Sequence, residues 1–588
     1  MPDVNSLFAR AEQAFIAGRL DEARSAVVEV QRLSGPHPAV LHLRAMVESK
    51  RGDLPEARRA FEAALRLAPR DVQLRNNFAN LLGRAGEHAA ALAQYDAALA
   101  TAPDFHEARY NRALLLQTLG RLDEALAELD RVGAARPGDA RIPSARGAVL
   151  RLLGRLEEAQ AAYDEAVRLD PTRILPLTGR ARVAMERGDP AAAAHYRAAL
   201  ALKPDDPVLQ LGLAEALEVE GDPAAVGTLA AAVATRPEWR EGQEVLARMR
   251  WEAGESTGFT RDLERAIAQS PADPQLRIAL ASALGAADLH AEAAEAAAAG
   301  RAAVGDKPDL VLLEAVYASE VGDIGRADRL FASLPATFRG AAVHEVRHRI
   351  RTGELEAAAS LLEKARGEAP WDIGAWALTG LVWRLAGDPR AEWLSGRPEL
   401  VRLSALALDD AELTAIADTL RSYHRAVVHP IGQSLRGGTQ TRGRLFARAA
   451  PEVRRLKEAA LAAVDDYWAA LPGEDSGHPL LRHRNRAIGF AGSWSVRLTG
   501  GGFHIAHCHP HGILSSACYF VVPEPKAPME GWLEVGGPPE GLDVPVEPLA
   551  RLEPAPGRIA LFPSYLYHGT RRFAAGERLT AAFDVVPL

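Results

Sequence analysis

Prolines recur at a nearly constant interval through the first half of the chain, and this period limits the possible folds more than any other feature. They stand at positions 69, 103, 137, 171, 204, 237 and 271. A glycine precedes each of the first four (Gly52, Gly86, Gly120 and Gly154), and an alanine follows each glycine (Ala57, Ala91, Ala125 and Ala159). A period of about 34 residues predicts a repeat whose unit is a helix, a glycine turn, a second helix and a proline stop.

Large and small residues alternate at helical spacing between each turn and stop, as in Ala57, Phe61 and Ala64 or Ala159, Tyr163 and Ala166. The small residues allow paired helices to approach closely, and the aromatic ring fills the space between neighbouring units. Since one unit cannot bury its own apolar face, the units are expected to stack into a solenoid with a long concave surface.

Segments such as "GRLDEALAELDRVGAARPGD" and "GRLEEAQAAYDEAVRLDPTR" resemble the tetratricopeptide repeat, and the resemblance extends over residues 5–390. Further copies carry Gly188, Gly221, Gly254, Gly322 and Gly353, which gives ten or eleven units. The register between residues 285 and 370 stays open because that region is rich in alanine. The resemblance implies that the groove binds a protein or peptide. A spacer or dimerisation scaffold is the alternative.

The repeat period ends after "RLAGDPRAEWLSGRP", and the chain is too long for one core, so we predict two domains, 1–391 and 392–588. The formal net charge of -8 and the 48% of hydrophobic residues disfavour a nucleic-acid partner. No apolar run reaches the ~18 residues of a membrane helix. There is no signal-peptide pattern, and Cys508 and Cys518 form no disulfide framework, so we expect a cytoplasmic protein without a membrane partner.

The second domain begins with two helical patterns. The first is "DDAELTAIADTLRSYHR", capped by Asp409 or Asp410, and the second is "PEVRRLKEAALAAVDDYWAAL". In the second, Val453, Leu456, Ala460, Val464 and Tyr467 share one face, which is expected to pack on a sheet. The segment "HPIGQSLRGGTQTRGRL" lies between the two helices and lacks the GK[ST] of a P-loop, so it is interpreted as an ordered loop; a role in the active site stays open.

Short segments of strand composition follow from residue 488: "IGFAGSWSVRL", "ILSSACYFVVP", "GWLEVGG", "GRIALFPSYLYH" and "RLTAAFDVVPL". No helix-length segment separates them. The predicted fold is therefore an all-α solenoid followed by an antiparallel jelly roll, or double-stranded β-helix, with flanking helices.

The segment "GGFHIAHCHPHGILSSACYF" concentrates four histidines in eight positions. On a strand, His507 and His509 would point to one side and Cys508 to the other. His568 is expected to end the "LFPSYLYH" strand, and Arg578 and Thr580 follow in "ERLTAAF". Two ligands from one strand, a distant histidine and a downstream Arg-x-Thr give the order found in Fe(II)/2-oxoglutarate oxygenases.

The segments "GGFHIAHCHPHG", "SSACYFVVP", "GRIALFPSYLYHGT" and "ERLTAAFDVV" resemble the 2-oxoglutarate/Fe(II) oxygenases in which His-x-His-Pro precedes a serine-rich strand. The resemblance covers residues 395–588. It implies that His507, His509 and His568 bind Fe(II). It also implies that Arg578 binds the distal carboxylate of the cosubstrate 2-oxoglutarate beside Thr580, with O2 as the oxidant. Tyr519 is a further candidate for the same carboxylate.

The sequence departs from the broader superfamily at one ligand, because His-x-His replaces His-x-Asp. Three neutral imidazoles are also the ligand set of catalytic zinc sites and of thiol dioxygenases. His509 is then either a ligand or a residue behind the ligands. His504 and His511 are expected to be solvated loop residues.

The sequence leaves two functional hypotheses of different kinds. The first is a 2-oxoglutarate-dependent hydroxylase whose solenoid recruits a polypeptide substrate, by analogy with the aspartyl/asparaginyl β-hydroxylases. The second is a repeat-based interaction scaffold with a degenerate or structural metal barrel. A three-histidine metalloenzyme without 2-oxoglutarate is a further alternative, and it would not need Arg578.

Overall fold

A computed structural model of the chain describes residues 3–335, 337–338, 340–539 and 541–588. The chain divides into two compact units, Met1–Val183 and Ala184–Leu588. The first contains helical repeats, and the second contains further repeats together with a β-sheet domain.

The helices of the first unit follow one another in antiparallel pairs. They are α1 (Val4–Ile16), α2 (Leu20–Ser34), α3 (Pro38–Arg51), α4 (Leu54–Leu67), α5 (Val72–Arg84), α6 (His88–Thr101), α7 (His106–Thr118), α8 (Leu122–Ala135), α9 (Arg141–Leu152) and α10 (Leu156–Leu169). Helix α11 (Ile174–Arg187) spans the division between the units.

Glycine and proline occupy the turns that the sequence predicts. Gly52 ends α3 with a φ of 88°, in the left-handed region that glycine favours. Asp53 then caps α4 by accepting a hydrogen bond from the Glu56 amide at 3.0 Å. The Pro69 carbonyl, between α4 and α5, accepts a hydrogen bond from Arg75 Nε at 3.0 Å. In this repeat, hydrogen bonds with nearby side chains therefore satisfy backbone groups at both turns.

The alternation of large and small residues forms the interior of the stack. Ala57, Phe61 and Ala64 of α4 are all buried. The Phe61 ring stacks on Phe78 of α5 with ring centroids 5.4 Å apart. The aromatic ring thus fills the space between neighbouring units, as predicted.

The second unit continues the repeats. Its helices are α12 (Ala192–Leu202), α13 (Pro207–Glu220), α14 (Ala224–Ala234), α15 (Arg240–Glu252), α16 (Arg261–Gln269), α17 (Pro274–Ala286), α18 (His290–Val304), α19 (Pro308–Glu320), α20 (Ile324–Ser333), α21 (Ala341–Arg351), α22 (Leu355–Glu368) and α23 (Ile373–Ala386). The register that the sequence leaves open is settled by Gly322 and Gly353, both with positive φ. Between α17 and α18 the left-handed position is taken by Asp288, with a φ of 62°.

Among its described residues, the C-terminal domain has two further α-helices and nine strands. The helices are α24 (Asp410–Ser422) and α25 (Pro451–Ala470). The strands are β1 (Arg402–Ala405), β2 (Leu435–Gln440), β3 (Ile488–His507), β4 (Leu514–Val521), β5 (Leu533–Val535), β6 (Ala550–Leu552), β7 (Arg558–Pro563), β8 (His568–Thr570) and β9 (Arg578–Pro587).

These strands form one antiparallel sheet with the order β1-β7-β4-β9-β3-β8-β5-β6, and β2 pairs with β3. The sheet closes nearly into a barrel, as in a jelly roll. The prediction of an all-α repeat solenoid followed by an antiparallel β domain is therefore confirmed.

Helices α24 and α25 share one hydrophobic core with the sheet. Asp409 caps α24 in a reciprocal capping box with Glu412. The buried face of α25 contains all five residues that its sequence pattern predicts: Val453, Leu456, Ala460, Val464 and Tyr467.

Three strands escape prediction, and one predicted strand is divided. Strands β1 and β6 have only four and three residues, which is too short for a periodic signal, and β2 contains two consecutive glycines. The segment "GRIALFPSYLYH" is broken after Pro563, so His568 begins β8 instead of ending the preceding strand. Proline lacks the backbone N–H that a continuing ladder requires.

Within the described ranges, we find no helix with both the length and the apolar character needed to cross a bilayer.

Candidate metal centre

Three histidines, from strands β3 and β8 and from the loop after β3, converge at one site. His507 is the last residue of β3, His509 follows it in the adjoining loop, and His568 opens β8 directly opposite His507 in the ladder. The Nε2 atoms of His507 and His509 are 3.0 Å apart. One ligand atom from each of the three side chains lies within 4.8 Å of the other two. The geometry fits a metal ion held by three imidazoles.

The second nitrogen of each ring is engaged elsewhere, which fixes the direction of the ligand atom. His507 Nδ1 donates to the Ile505 carbonyl at 2.8 Å, and His568 Nδ1 donates to the Leu566 carbonyl at 3.1 Å. His509 Nδ1 lies 2.6 Å from Asp584 Oδ1. Each ring therefore presents the lone pair of Nε2 to the centre of the cluster. His509 thus takes the geometry of a ligand.

Asp584 belongs to a small buried network behind His509. Its Oδ1 also accepts a hydrogen bond from Ser515 Oγ at 3.0 Å, and Ser515 Oγ is 2.9 Å from Ser564 Oγ. The His-x-His motif has no carboxylate ligand, but the Asp584 carboxylate contacts His509 on the side of the ring that faces away from the cluster. A carboxylate in this position orients the imidazole and increases its basicity.

Burial favours the neutral imidazole at His507 and His568. Loss of solvent, followed by the proximity of His509, lowers the pKa of His507 to about 3. Burial lowers the pKa of His568 well below its usual value. A neutral imidazole at physiological pH is the form that binds a metal.

The histidines line a cavity of about 490 Å³ that also contains Arg578 and Thr580. Arg578 is only 2% exposed, and its Nε has no hydrogen-bond partner among the described residues. No described carboxylate lies within ion-pair distance of it. Since a buried, unpaired guanidinium is unfavourable, this side of the cavity fits an anionic ligand such as a carboxylate.

Tyr519 and Thr580 occupy different places around Arg578. Arg578 Cζ lies 5.2 Å from the centroid of the Tyr519 ring, which is fully buried below it. The Tyr519 hydroxyl makes no well-aligned hydrogen bond within the described ranges, although it interacts electrostatically with Arg578. Thr580 lines the cavity, and its Oγ1 lies 3.5 Å from the Val496 carbonyl. Tyr519 therefore lies against the guanidinium, whereas Thr580 lies on the cavity wall.

Two expectations about neighbouring residues are wrong. His504 is not a solvated loop residue: it lies on β3, its ring stacks on His507 at 5.9 Å, and enclosure lowers its pKa well below the usual value. Cys508 lines the cavity with the histidines, because β3 ends at His507 and the strand alternation stops there. His511 is exposed, as expected.

The sequence interpretation missed Asp584 and left open whether the segment before β2 belongs to the site. Asp584 carries a usable signal, since Arg578, Thr580, Ala582 and Asp584 alternate along β9 and all line the cavity. The segment "HPIGQSL", interpreted as an ordered loop, contributes Ser434 to the cavity wall.

The comparisons with known proteins agree with this geometry. Residues 492–584 match the family described as "Putative 2OG-Fe(II) oxygenase". Tetratricopeptide repeat families match residues 42–104, 82–148, 145–173 and 178–237. The chain therefore carries tetratricopeptide repeats and, at its C-terminus, a domain of this oxygenase type. No curated protein matches the chain.

Solved structures with similarity to the chain are tetratricopeptide repeat proteins. One is MamA from Desulfovibrio magneticus RS-1, with 24% identity and a TM-score of 0.27 over 29% of this chain and 96% of that one. A repeat protein from Parabacteroides merdae ATCC 43184 has 19% identity and a TM-score of 0.32 over 47% and 97% of the two chains. YrrB, described as having an unusual peptide-binding site, has 21% identity and a TM-score of 0.28 over 31% and 95%.

Proposed function

We propose that the protein is a 2-oxoglutarate-dependent Fe(II) oxygenase of the hydroxylase type, with residues 392–588 as its catalytic domain and residues 1–391 as its recruiting domain. The observation that carries this proposal is Arg578. A buried guanidinium without a carboxylate partner stands in the same cavity as three convergent imidazoles. A purely structural metal site does not need such a group.

In this assignment His507, His509 and His568 hold Fe(II), and Arg578 binds the distal carboxylate of 2-oxoglutarate through two parallel hydrogen bonds. The metal and cosubstrate supply an oxidation in which R–H, O2 and 2-oxoglutarate give R–OH, succinate and CO2. One oxygen atom enters the product hydroxyl, and the other enters succinate. Thr580 adds a hydroxyl beside the carboxylate, and the walls of the barrel limit access of water.

A polypeptide substrate is supported by a second cavity, which we call the seam cavity. It has a volume of about 220 Å³ and lies between Asp222 and Met249 of the repeats and Arg425 and Arg448 of the C-terminal domain. Gln440 on β2 lines both this cavity and the metal cavity. The two cavities therefore share a wall residue, which supports the proposal that a chain bound along the repeats reaches the metal cavity. Both cysteines are free, which suits the reducing cytoplasm that we propose as its location.

The test is a thermal-shift and binding titration of the metal-loaded protein. A ligand at 100 times its Kd adds ~2.7 kcal/mol to stability, so 2-oxoglutarate should raise the melting temperature clearly. Succinate lacks the keto group and should have much less effect. Equal shifts from the two acids would indicate a nonspecific anion effect.

Arg578→Gln should leave metal binding intact and weaken 2-oxoglutarate binding about tenfold or more, because a charge-assisted hydrogen bond contributes ~1.5–3 kcal/mol. Arg578→Lys should recover only part of the loss. Arg558→Gln is the matched control, since Arg558 also has an unpartnered Nε but lies outside the cavity lining. Unchanged 2-oxoglutarate binding in Arg578→Gln would favour a three-histidine enzyme of another type or a structural metal site in a scaffold.

A further inference from the structure

One wall of the metal cavity is a segment that the repeat helices hold from outside. This segment, residues 427–436, lies between α24 and β2 and includes the first two residues of β2. We call it the strap. Gly432, Gln433 and Ser434 of the strap line the metal cavity. The strap is not part of any of the four motifs that carry the resemblance to the oxygenase family.

The inner side of the strap reaches the metal ligands. Ser434 Oγ lies 3.2 Å from His507 Nε2 and 3.2 Å from His504 Nδ1. Leu435, the next residue, is paired with His504 in the ladder between β2 and β3. The strap is therefore in contact with an atom that faces the metal position.

The outer side of the strap is attached to α15 and α17 by backbone and side-chain hydrogen bonds. Trp251 Nε1 donates to the His429 carbonyl at 3.1 Å, and the Gly432 amide donates to the Ala286 carbonyl at 2.9 Å. Between these two points, Ile431 packs against the apolar cluster of the repeats that contains Phe259, Leu276 and Ala287.

An ion pair closes the attachment at the C-terminal end of the strap. Arg436 Nε lies 3.0 Å from Asp288 Oδ2. Asp288 is the residue with a left-handed conformation in the turn between α17 and α18. The repeat period supplies a glycine at most such turns, so a carboxylate here is a local departure that serves the strap.

We propose that repeat residues Trp251 and Asp288 are positioning residues for the metal site. They hold the strap against the barrel, and they couple the repeat helices to metal binding. The proposal rests on the proposed metal site and is independent of the identity of the cosubstrate. Because coupling between two sites is reciprocal, a bound metal must also stabilise the α17–α18 turn, which does not touch it.

The first experiment titrates Mn²⁺, an oxygen-stable substitute for Fe(II), into the full-length protein. The double variant Trp251→Phe/Asp288→Asn removes one donor and one charge, and asparagine tolerates the left-handed conformation of Asp288. We expect its Kd for Mn²⁺ to rise about 3- to 30-fold. Trp239→Phe/Asp306→Asn makes the same chemical changes in the repeats away from the strap, and it should bind like wild type.

The second experiment measures amide hydrogen exchange of the wild type with and without Mn²⁺. Binding should slow exchange in the strap and in the turn 286–289, and it should leave the turn at Gly322 unchanged. This measurement remains decisive if the double variant is unstable. A merely structural contact would not transmit metal binding to the turn.

The outcomes separate the two proposals. If wild type binds no Mn²⁺, the proposed metal site fails and this inference fails with it. If wild type binds Mn²⁺ but the double variant matches its control, or exchange in the turn 286–289 does not respond, the positioning role is refuted and the proposed function stands.

Discussion

Replacing Asp584 by asparagine tests how the protein compensates for the carboxylate that its ligand set lacks. Asp584 is 9% exposed and accepts hydrogen bonds from His509 Nδ1 at 2.6 Å and from Ser515 Oγ at 3.0 Å. Asparagine has the same shape, and its carbonyl oxygen still accepts a bond from His509. The variant therefore removes the charge and keeps the geometry.

The magnitude follows from the strength of that one bond. A hydrogen bond to a charged group contributes ~1.5–3 kcal/mol and a neutral one ~0.5–1.5 kcal/mol. The hydrogen bond that holds the His509 imidazole is therefore weakened by about 1–1.5 kcal/mol. This corresponds to a roughly tenfold loss of metal affinity. Mutating a residue that hydrogen-bonds to a metal ligand typically costs about 10- to 100-fold in affinity, so the expected loss is at the lower end of that range. Asp584→Ala should lose more, because it removes the hydrogen bonds of both His509 and Ser515 to this side chain.

The assay is an anaerobic titration with Fe(II), and with Co²⁺ as a spectroscopic probe of ligand geometry. Asp465→Asn is the matched control, since Asp465 is exposed on α25. The melting temperature of the metal-free variants shows whether the fold is intact. Wild-type metal affinity in a folded Asp584→Asn variant would refute the role assigned to the His509–Asp584 pair.

Two further predictions concern other histidines. His507→Ala or His568→Ala should abolish metal binding with unchanged helical circular dichroism, whereas His511→Ala, at an exposed position, should bind metal normally; a collapse of helicity would contradict separate folding of the repeats. His478 is fully buried, donates to the Leu394 carbonyl, and has its pKa lowered to about 4 by burial. Its neutral form stabilises the fold above pH 6.5, and this contribution falls by about 1.4 kcal/mol per pH unit between pH 6.5 and 4. Urea unfolding at several pH values should show a smaller acid loss in His478→Gln, and an unchanged loss would contradict the assignment.

The repeats could be predicted almost completely from the sequence because their signals are local. A glycine with positive φ, an aspartate cap and an apolar stripe each act within a few residues. The exception is the turn at Asp288, where a residue of the C-terminal domain, Arg436, supplies the reason for the departure. Such a partner, far away in the sequence, leaves no local pattern.

The candidate metal ligands could also be predicted, because they lie in recognisable sequence motifs. The residues that contact these ligands, Asp584 and Ser434, were not predicted. His507 and His568 lie in segments whose composition indicates strands, although their pairing is seen only in the structure. Asp584 lies in a motif that assigns it no role, although strand alternation places it on the face of Arg578. Ser434 gives no signal, because it reaches the cavity from a segment with neither helical nor strand periodicity.

The attachment of the strap to the repeats limits where whole repeats can be inserted or deleted during evolution. Its described contacts to the repeats come from residues 251–288 and include backbone groups of Glu252 and Ala286, which no substitution removes. Point substitutions in these helices are therefore tolerated better than insertions or deletions. Gain or loss of a whole repeat before Arg187 preserves these contacts and the seam cavity, whereas loss of the repeat between Glu252 and Ala286 removes the residues that hold the strap against the metal cavity. Variation in repeat number among descendants of this chain should accordingly be confined to the part before Arg187.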